Sequence, residues 1–224
     1  IMSSLPYDPD KDFRPVTNLY VQVSGVAIGP GLPATSMADL QKLRGPASAA
    51  LNFGTLGPGT TQDILRQWMN RNWKTEFVGV PYKGMNLILN AVVSGENALT
   101  QTSLGSAGPY LAGGKVRLLA VNSARRLPRL PDVPTFTEAG MGEFIDVQGR
   151  FWWGLVTPAN VPDSVVQRVN AEFQKLFKDP KFAELIEAQF LDPVLGTPQQ
   201  FTAFLKTDRE RSRNVVATFN VPRE

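Results

Sequence analysis

The stretch "LNFGTLGPGTTQDIL", residues 51–65, sets glycines and threonines between an apolar run and a helix-forming one. A strand feeding a glycine turn at a helix N-terminus offers an anion site, because the first backbone N–H groups lack intrahelical acceptors and the positive end of the helix dipole lies there. Gly57 and Gly59 let the backbone bend so that N–H groups point inward, and Thr55, Thr60 and Thr61 add hydroxyl donors. The same residues also make a plain capping turn, in which Thr60 satisfies the helix N–H groups. The local sequence favours neither reading over the other.

Nucleotide readings fail at particular positions. A P-loop needs a lysine where Thr60 stands, and no Walker B acid is evident. In the dinucleotide fingerprint, Gly57 and Gly59 match, but Gln62 occupies the third glycine, and Glu76 opens the next strand where a ribose-binding acid belongs at its carboxyl end. The uncharged donors suit a carboxylate better than a triphosphate, whose charge recruits Lys, Arg or Mg²⁺.

With 224 residues, 42% hydrophobic and 19% charged, the chain is long enough for one large α/β domain or two smaller ones. It has no cysteine and no histidine, which excludes thiol catalysis, disulfides, histidine triads and zinc sites. No metal and no cofactor is expected. Cysteine-free composition fits an oxidising compartment. The net charge of +3 is too small to argue for nucleic acid. The basic residues Lys115, Arg117, Arg125, Arg126 and Arg129 are interleaved with apolar ones and read as a solvated loop. No apolar run is long enough to span a membrane. The start, "IMSSLPYDPDKDF", has neither the basic nor the apolar region of an export signal.

The elements that must position the turn follow from periodicity. A strand is expected over 17–28, then a short helix in "PATSMADLQKLRG" capped by Ser36 and stopped at Gly45. Strand 50–54, the turn and helix 61–73 follow, then strand "EFVGVPY" and helix "MNLILNAVVSG", with Leu87, Leu89, Val92 and Val93 as its buried stripe. "ENALTQT" and "KVRLLAVN" read as strands around a helical "SAGPYLAGG". This alternation implies βαβ units and a mostly parallel sheet. "RRLPRLPDVPTFTEAGMGEF" reads as a long surface connection, "GRFWWGLVTP" as a strand, and 163–178, 180–190 and 198–218 as helices, the first with Val165, Val166, Val169, Phe173, Leu176 and Phe177 at helical spacing.

"LPYDPDKDFRPVT", "LNFGTLGPGTTQDIL", "FVGVPYKG", "GGKVRLLAVNSARRLPRLPDVPTFTEAG" and "WWGLVTPANVPDSVVQRVNAEF" occur in an order and spacing that resemble the TctC/Bug family. That family comprises periplasmic substrate-binding proteins of tripartite tricarboxylate transporters. The resemblance implies an α/β, periplasmic-binding-protein-like (type II) two-lobe fold with mostly parallel sheets. It implies a non-enzymatic function: capture of a small carboxylate and delivery to membrane permease subunits from the periplasm. A ligand sensor of the same fold that signals to a membrane partner is the alternative. An enzyme built on Glu138 and Asp132 has no converging third group.

Carried over residue by residue, the family's ligand turn falls on Thr55, Gly57, Gly59, Thr60 and Thr61, and its V-P-Y-K-G turn on Val80 to Gly84, with Tyr82 as a cleft wall. A strand-end segment falls on Asn97 to Thr102, so that Gln101 and Thr102 face the cleft. Of Trp152 and Trp153, which alternate in a strand, one belongs to the core and Trp153 to the cleft. Asp63 stands where the family usually has His, and Ala98 and Thr102 stand where it has acids. Loss of those acids favours a di- or tricarboxylate or an aromatic acid over an amino acid.

The expected division is a complete lobe over 21–149, with 1–20 and 150–224 as hinge and remainder of the other. The family carries a further strand–helix–strand–helix–strand unit upstream, where only "IMSS" stands here, so one lobe is expected to be incomplete. The apolar surface this leaves uncovered favours self-association.

Overall fold

The computed structural model describes residues 5–43, 45 and 51–222, which fall into two compact units. The larger contains Val23–Gly149 and Asn214–Pro222; the smaller contains residues up to Gln22 and Arg150–Arg213. The expected division sets 214–222 with the smaller part. Those residues instead supply Val215, Val216, Phe219 and Val221 to the core of the larger unit.

The larger unit is built on a five-stranded sheet of β2 (Ser24–Ile28), β3 (Asn52–Thr55), β4 (Val78–Pro81), β5 (Leu99–Ser103) and β6 (Arg117–Val121), in the order β4-β3-β5-β2-β6. β4, β3 and β5 are mutually parallel, and β2 runs antiparallel between β5 and β6. Four strands thus share one direction, as alternation of strands and helices requires. Residue 50, expected to open β3, lies outside the described residues.

Helices cover both faces of this sheet. α1 (Met37–Lys42) starts in a capping box, in which the Ser36 hydroxyl accepts the Asp39 amide (3.2 Å) and the Asp39 carboxylate accepts the Ser36 amide (3.1 Å). α2 (Thr61–Trp73) buries Ile64, Leu65, Trp68 and Met69 against Phe53, Leu99 and Leu119. α3 (Met85–Ser94) and α4 (Leu104–Ala112) form a smaller cluster around Ile88, Val92 and Val116. The buried stripe of α3 is Ile88, Leu89, Ala91 and Val92: Leu89 and Val92 are buried as expected and Val93 is partly buried, but Leu87 is 53% exposed and Ile88 takes its place.

The proline-rich connection also differs from expectation. It runs into α5 (Gly142–Gln148), and Phe136, Met141 and Phe144 are completely buried within the main core. Prolines and turn formers mask this, because the apolar residues follow no single period.

The smaller unit holds β1 (Phe13–Gln22), β7 (Phe151–Pro158) and β8 (Leu191–Pro193) in the order β7-β1-β8. Its helices are α6 (Asp163–Leu176), α7 (Pro180–Ala188) and the first part of α8 (Pro198–Thr218), which crosses between units at 213–214. The expected strand 17–28 is therefore two strands in different sheets, divided at Val23. Every pairing in this small sheet is antiparallel, unlike those among β3, β4 and β5, because β1 comes from a distant segment and lies between β7 and β8, which share one direction and are linked through α6 and α7. Trp152 packs edge-on against Phe201 and Phe204 and donates its indole N–H to Asp208 (3.0 Å). Phe151, Trp153 and Val156 remain exposed, as do Val165 and Leu176 of α6, whose buried side is Val166 and Asn170.

Phe136→Ala tests the core role of the proline-rich connection. Removing a fully buried ring is expected to cost about 3–5 kcal/mol, read as a lowered urea midpoint; a change under about 1 kcal/mol would place Phe136 outside the core.

Candidate functional site

Two glycines shape the turn between β3 and α2. Gly57 has φ +116° and Gly59 φ +73°, a region that residues with a side chain enter at a cost. The Gly57 amide donates to the Thr55 hydroxyl (3.2 Å), and the Gly59 amide to the Asp63 carboxylate (3.1 Å). Val221 packs so closely on Gly59 that an added Cβ would come within 2.2 Å of it, whereas at Gly57 that space is open.

Thr60 is the N-cap residue by backbone geometry, but its hydroxyl does not cap: it donates to the Gly57 carbonyl (2.7 Å). The plain capping turn is therefore not what forms. The amides of Thr61, Gln62 and Asp63 find no acceptor among the described residues; α2's hydrogen bonding begins with Ile64 to the Thr60 carbonyl (2.9 Å). The turn lies at the carboxyl ends of the parallel strands β3 and β4, the edge at which open α/β sheets bind ligands.

A chain of neutral amides borders these open N–H groups. Gln148 donates to the Thr61 carbonyl (3.0 Å) and accepts from Gln101 (3.2 Å), which also donates to the Ser24 hydroxyl (3.2 Å). Asn122 joins through its side-chain N–H to the Gly149 carbonyl (3.3 Å) and its amide to the Ser24 carbonyl (2.7 Å). The side-chain oxygens of Gln62 and Asn122 are buried without a partner among the described residues. Gln148 and Asn122 escaped sequence reasoning; the one available signal was Gly149, which stops α5 directly after Gln148.

The larger unit thus brings together Thr55, Gly57, Gly59, Thr60, Thr61 and Gln101. Thr102 sits beside Gln101 in β5, so its side chain turns to the opposite face of the sheet, with its hydroxyl on the Ser103 carbonyl (3.3 Å). Tyr82 adjoins the turn through its backbone, donating to the Thr55 carbonyl (2.8 Å). Its ring packs on the cluster of α3 and its hydroxyl donates to Glu96 (2.7 Å). Burial, then the Glu96 contact, raise its pKa. Trp153 is in the smaller unit, half exposed on β7 opposite Tyr20. Glu138 caps the Thr135 turn (2.8 Å) and pairs with Arg126; the Thr135 amide first, then Arg126, lower its pKa, which leaves it a structural acid.

The two glycines give a direct test. Gly57→Ala is expected to cost only the backbone strain of about 1–2 kcal/mol. Gly59→Ala adds the clash with Val221, and Val221→Ala in the same chain returns part of the loss. Urea unfolding of the variants reads the difference; equal costs at both glycines would refute the role of Val221.

Comparisons with known proteins show the family of the chain. The model of the tripartite tricarboxylate transporter family receptor, TctC, matches residues 1–221. The UPF0065 protein of the tcbD–tcbE intergenic region of a Pseudomonas species is 27% identical, over 97% of this chain and 64% of its own length. The chain spans just under two thirds of the length of such curated relatives. A structure of an R. palustris protein with adipate superposes with a TM-score of 0.82 at 26% identity, covering 100% of this chain and 74% of that one. MatC from Rhodopseudomonas palustris with bound malate gives 0.75 at 26% identity, over 95% and 72% of the two chains. The match to the receptor model runs through both units, and the chain belongs to the TctC family of tripartite tricarboxylate transporter receptors.

Proposed function

We propose that this protein is a periplasmic receptor that holds a small di- or tricarboxylate or aromatic acid at the N-terminus of α2 and delivers it to the permease subunits of a tripartite transporter. The observation that carries this reading is the set of open amides at Thr61, Gln62 and Asp63, next to the hydroxyl of Thr61. One carboxylate oxygen pair accepts from two or three such donors without a fixed counter-charge. The buried oxygens of Gln62 and Asn122 accept in turn from a ligand hydroxyl or a bridging water, which costs little in affinity. Adipate and malate in the related structures are ligands of this kind. Membership of the receptor family supports capture, with no bond made or broken.

A thermal-shift series with adipate, malate and aromatic acids checks the proposal. A ligand that fits raises the melting temperature progressively with concentration, by mass action. Thr61→Val removes one hydroxyl donor and is expected to weaken the same ligand about tenfold, as loss of a hydrogen bond to a charged group does. Tighter calorimetric binding of a cationic or zwitterionic compound than of any carboxylate would overturn the proposed ligand class.

A further inference from the structure

Behind the turn lies a buried ion pair that the ligand contacts do not require. Asp63 is the third residue of α2, and its carboxylate is surrounded by donors: the Gly59 amide (3.1 Å), Gln67 Nε2 (2.8 Å), Arg66 Nη2 (2.7 Å) and Arg66 Nε (3.2 Å). Its side chain is only 10% exposed. Arg66 runs from α2 to the residue just before β4, where its Nη1 donates to the Phe77 carbonyl (3.2 Å). Gly79 makes room for it: a Cβ there would lie 2.7 Å from Arg66 Nε.

Two physical demands meet at this pair. The Gly59 amide must be held if the turn is to keep its positive φ, and the Asp63 carboxylate holds it. Yet a negative charge in the first turn of α2 occupies the position where an anionic ligand would benefit from the helix dipole, and it repels that ligand. Arg66 answers the second demand by cancelling the charge at contact distance. A histidine-free, lysine-free turn thereby stays rigid without losing its attraction for an anion.

We propose that Asp63 and Arg66 are positioning residues of the carboxylate site: Asp63 fixes the Gly59 amide, and Arg66 neutralises Asp63 so that the amides of Thr61 and Gln62 face the ligand at full strength. This inference rests on the carboxylate reading of the turn. It distinguishes a charge-balancing role from simple packing, because the two predict different rescues. If Arg66 only fills space, removing its charge and removing Asp63's charge are separate injuries. If Arg66 balances charge, the second removal repairs the first.

The experiment measures adipate and malate binding by calorimetry for the wild type, Arg66→Gln, Arg66→Lys and the double variant Asp63→Asn with Arg66→Gln. Arg66→Gln is expected to bind about tenfold more weakly, while Arg66→Lys and the double variant stay within about threefold of the wild type. An unchanged Arg66→Gln, or a double variant no better than Arg66→Gln, overturns the proposal. Amide hydrogen exchange at Gly59, without ligand, supplies a separate readout. Asp63→Ala is expected to speed it about tenfold or more and Asp63→Asn, which keeps an acceptor, much less. If the wild type binds neither acid, the carboxylate reading of the turn fails, and unchanged Gly59 exchange in Asp63→Ala would overturn the positioning role independently.

Discussion

An α-helix leaves its first N–H groups without acceptors, and the larger unit is organised around leaving those of α2 open. The usual remedy is a side-chain oxygen at the N-cap, and Thr60 carries one. Its hydroxyl is committed instead to the Gly57 carbonyl, and Asp63 reaches back to Gly59 rather than to the helix amides. Both choices stiffen the turn while sparing the donors. The remaining polar groups nearby are paired mostly with one another, through Gln148, Gln101, Ser24 and Asn122, so the open edge is set in a frame of satisfied amides.

The sheet explains why this edge exists where it does. β3, β4 and β5 run parallel, so the loops that follow them emerge on one side. The antiparallel β2 between β5 and β6 brings Ser24 next to Ser103 at that same edge, within reach of Gln101. Helices on both faces then bury Phe53, Leu65, Leu99 and Leu119 on one side and Ile88, Val92 and Val116 on the other, leaving the strand ends as the accessible part of the sheet.

Much of this was legible in the sequence where local chemistry is self-sufficient. Gly57 and Gly59 announce positive φ, the serine cap of α1 announces its helix, and the motif set from "LPYDPDKDF" to "VVQRVNAEF" carries the family. What was hidden depends on partners far along the chain. Phe136, Met141 and Phe144 are core residues inside a proline-rich segment whose spacing resembles a loop. The division of 17–28 into β1 and β2 is a change of sheet at Val23, which hydrophobicity does not mark. Strand alternation sends Gln101 and Thr102 to opposite faces, although both stand near the strand's end. Gln148 matters only because α5 returns it to the start of α2.

The contact between Gly59 and Val221 joins residues far apart in the larger unit's sequence. A chain growing from its N-terminus makes β3, the turn and α2 long before Val221 is available to press on them. Until that residue arrives, Gly59 has a free side, and the turn can sample backbone shapes that the finished molecule forbids. Long-range contacts of this sort are closed late because of the loop entropy they must overcome. The turn thus gains its full set of contacts only once Val221 has been made, although its own residues come much earlier in the chain.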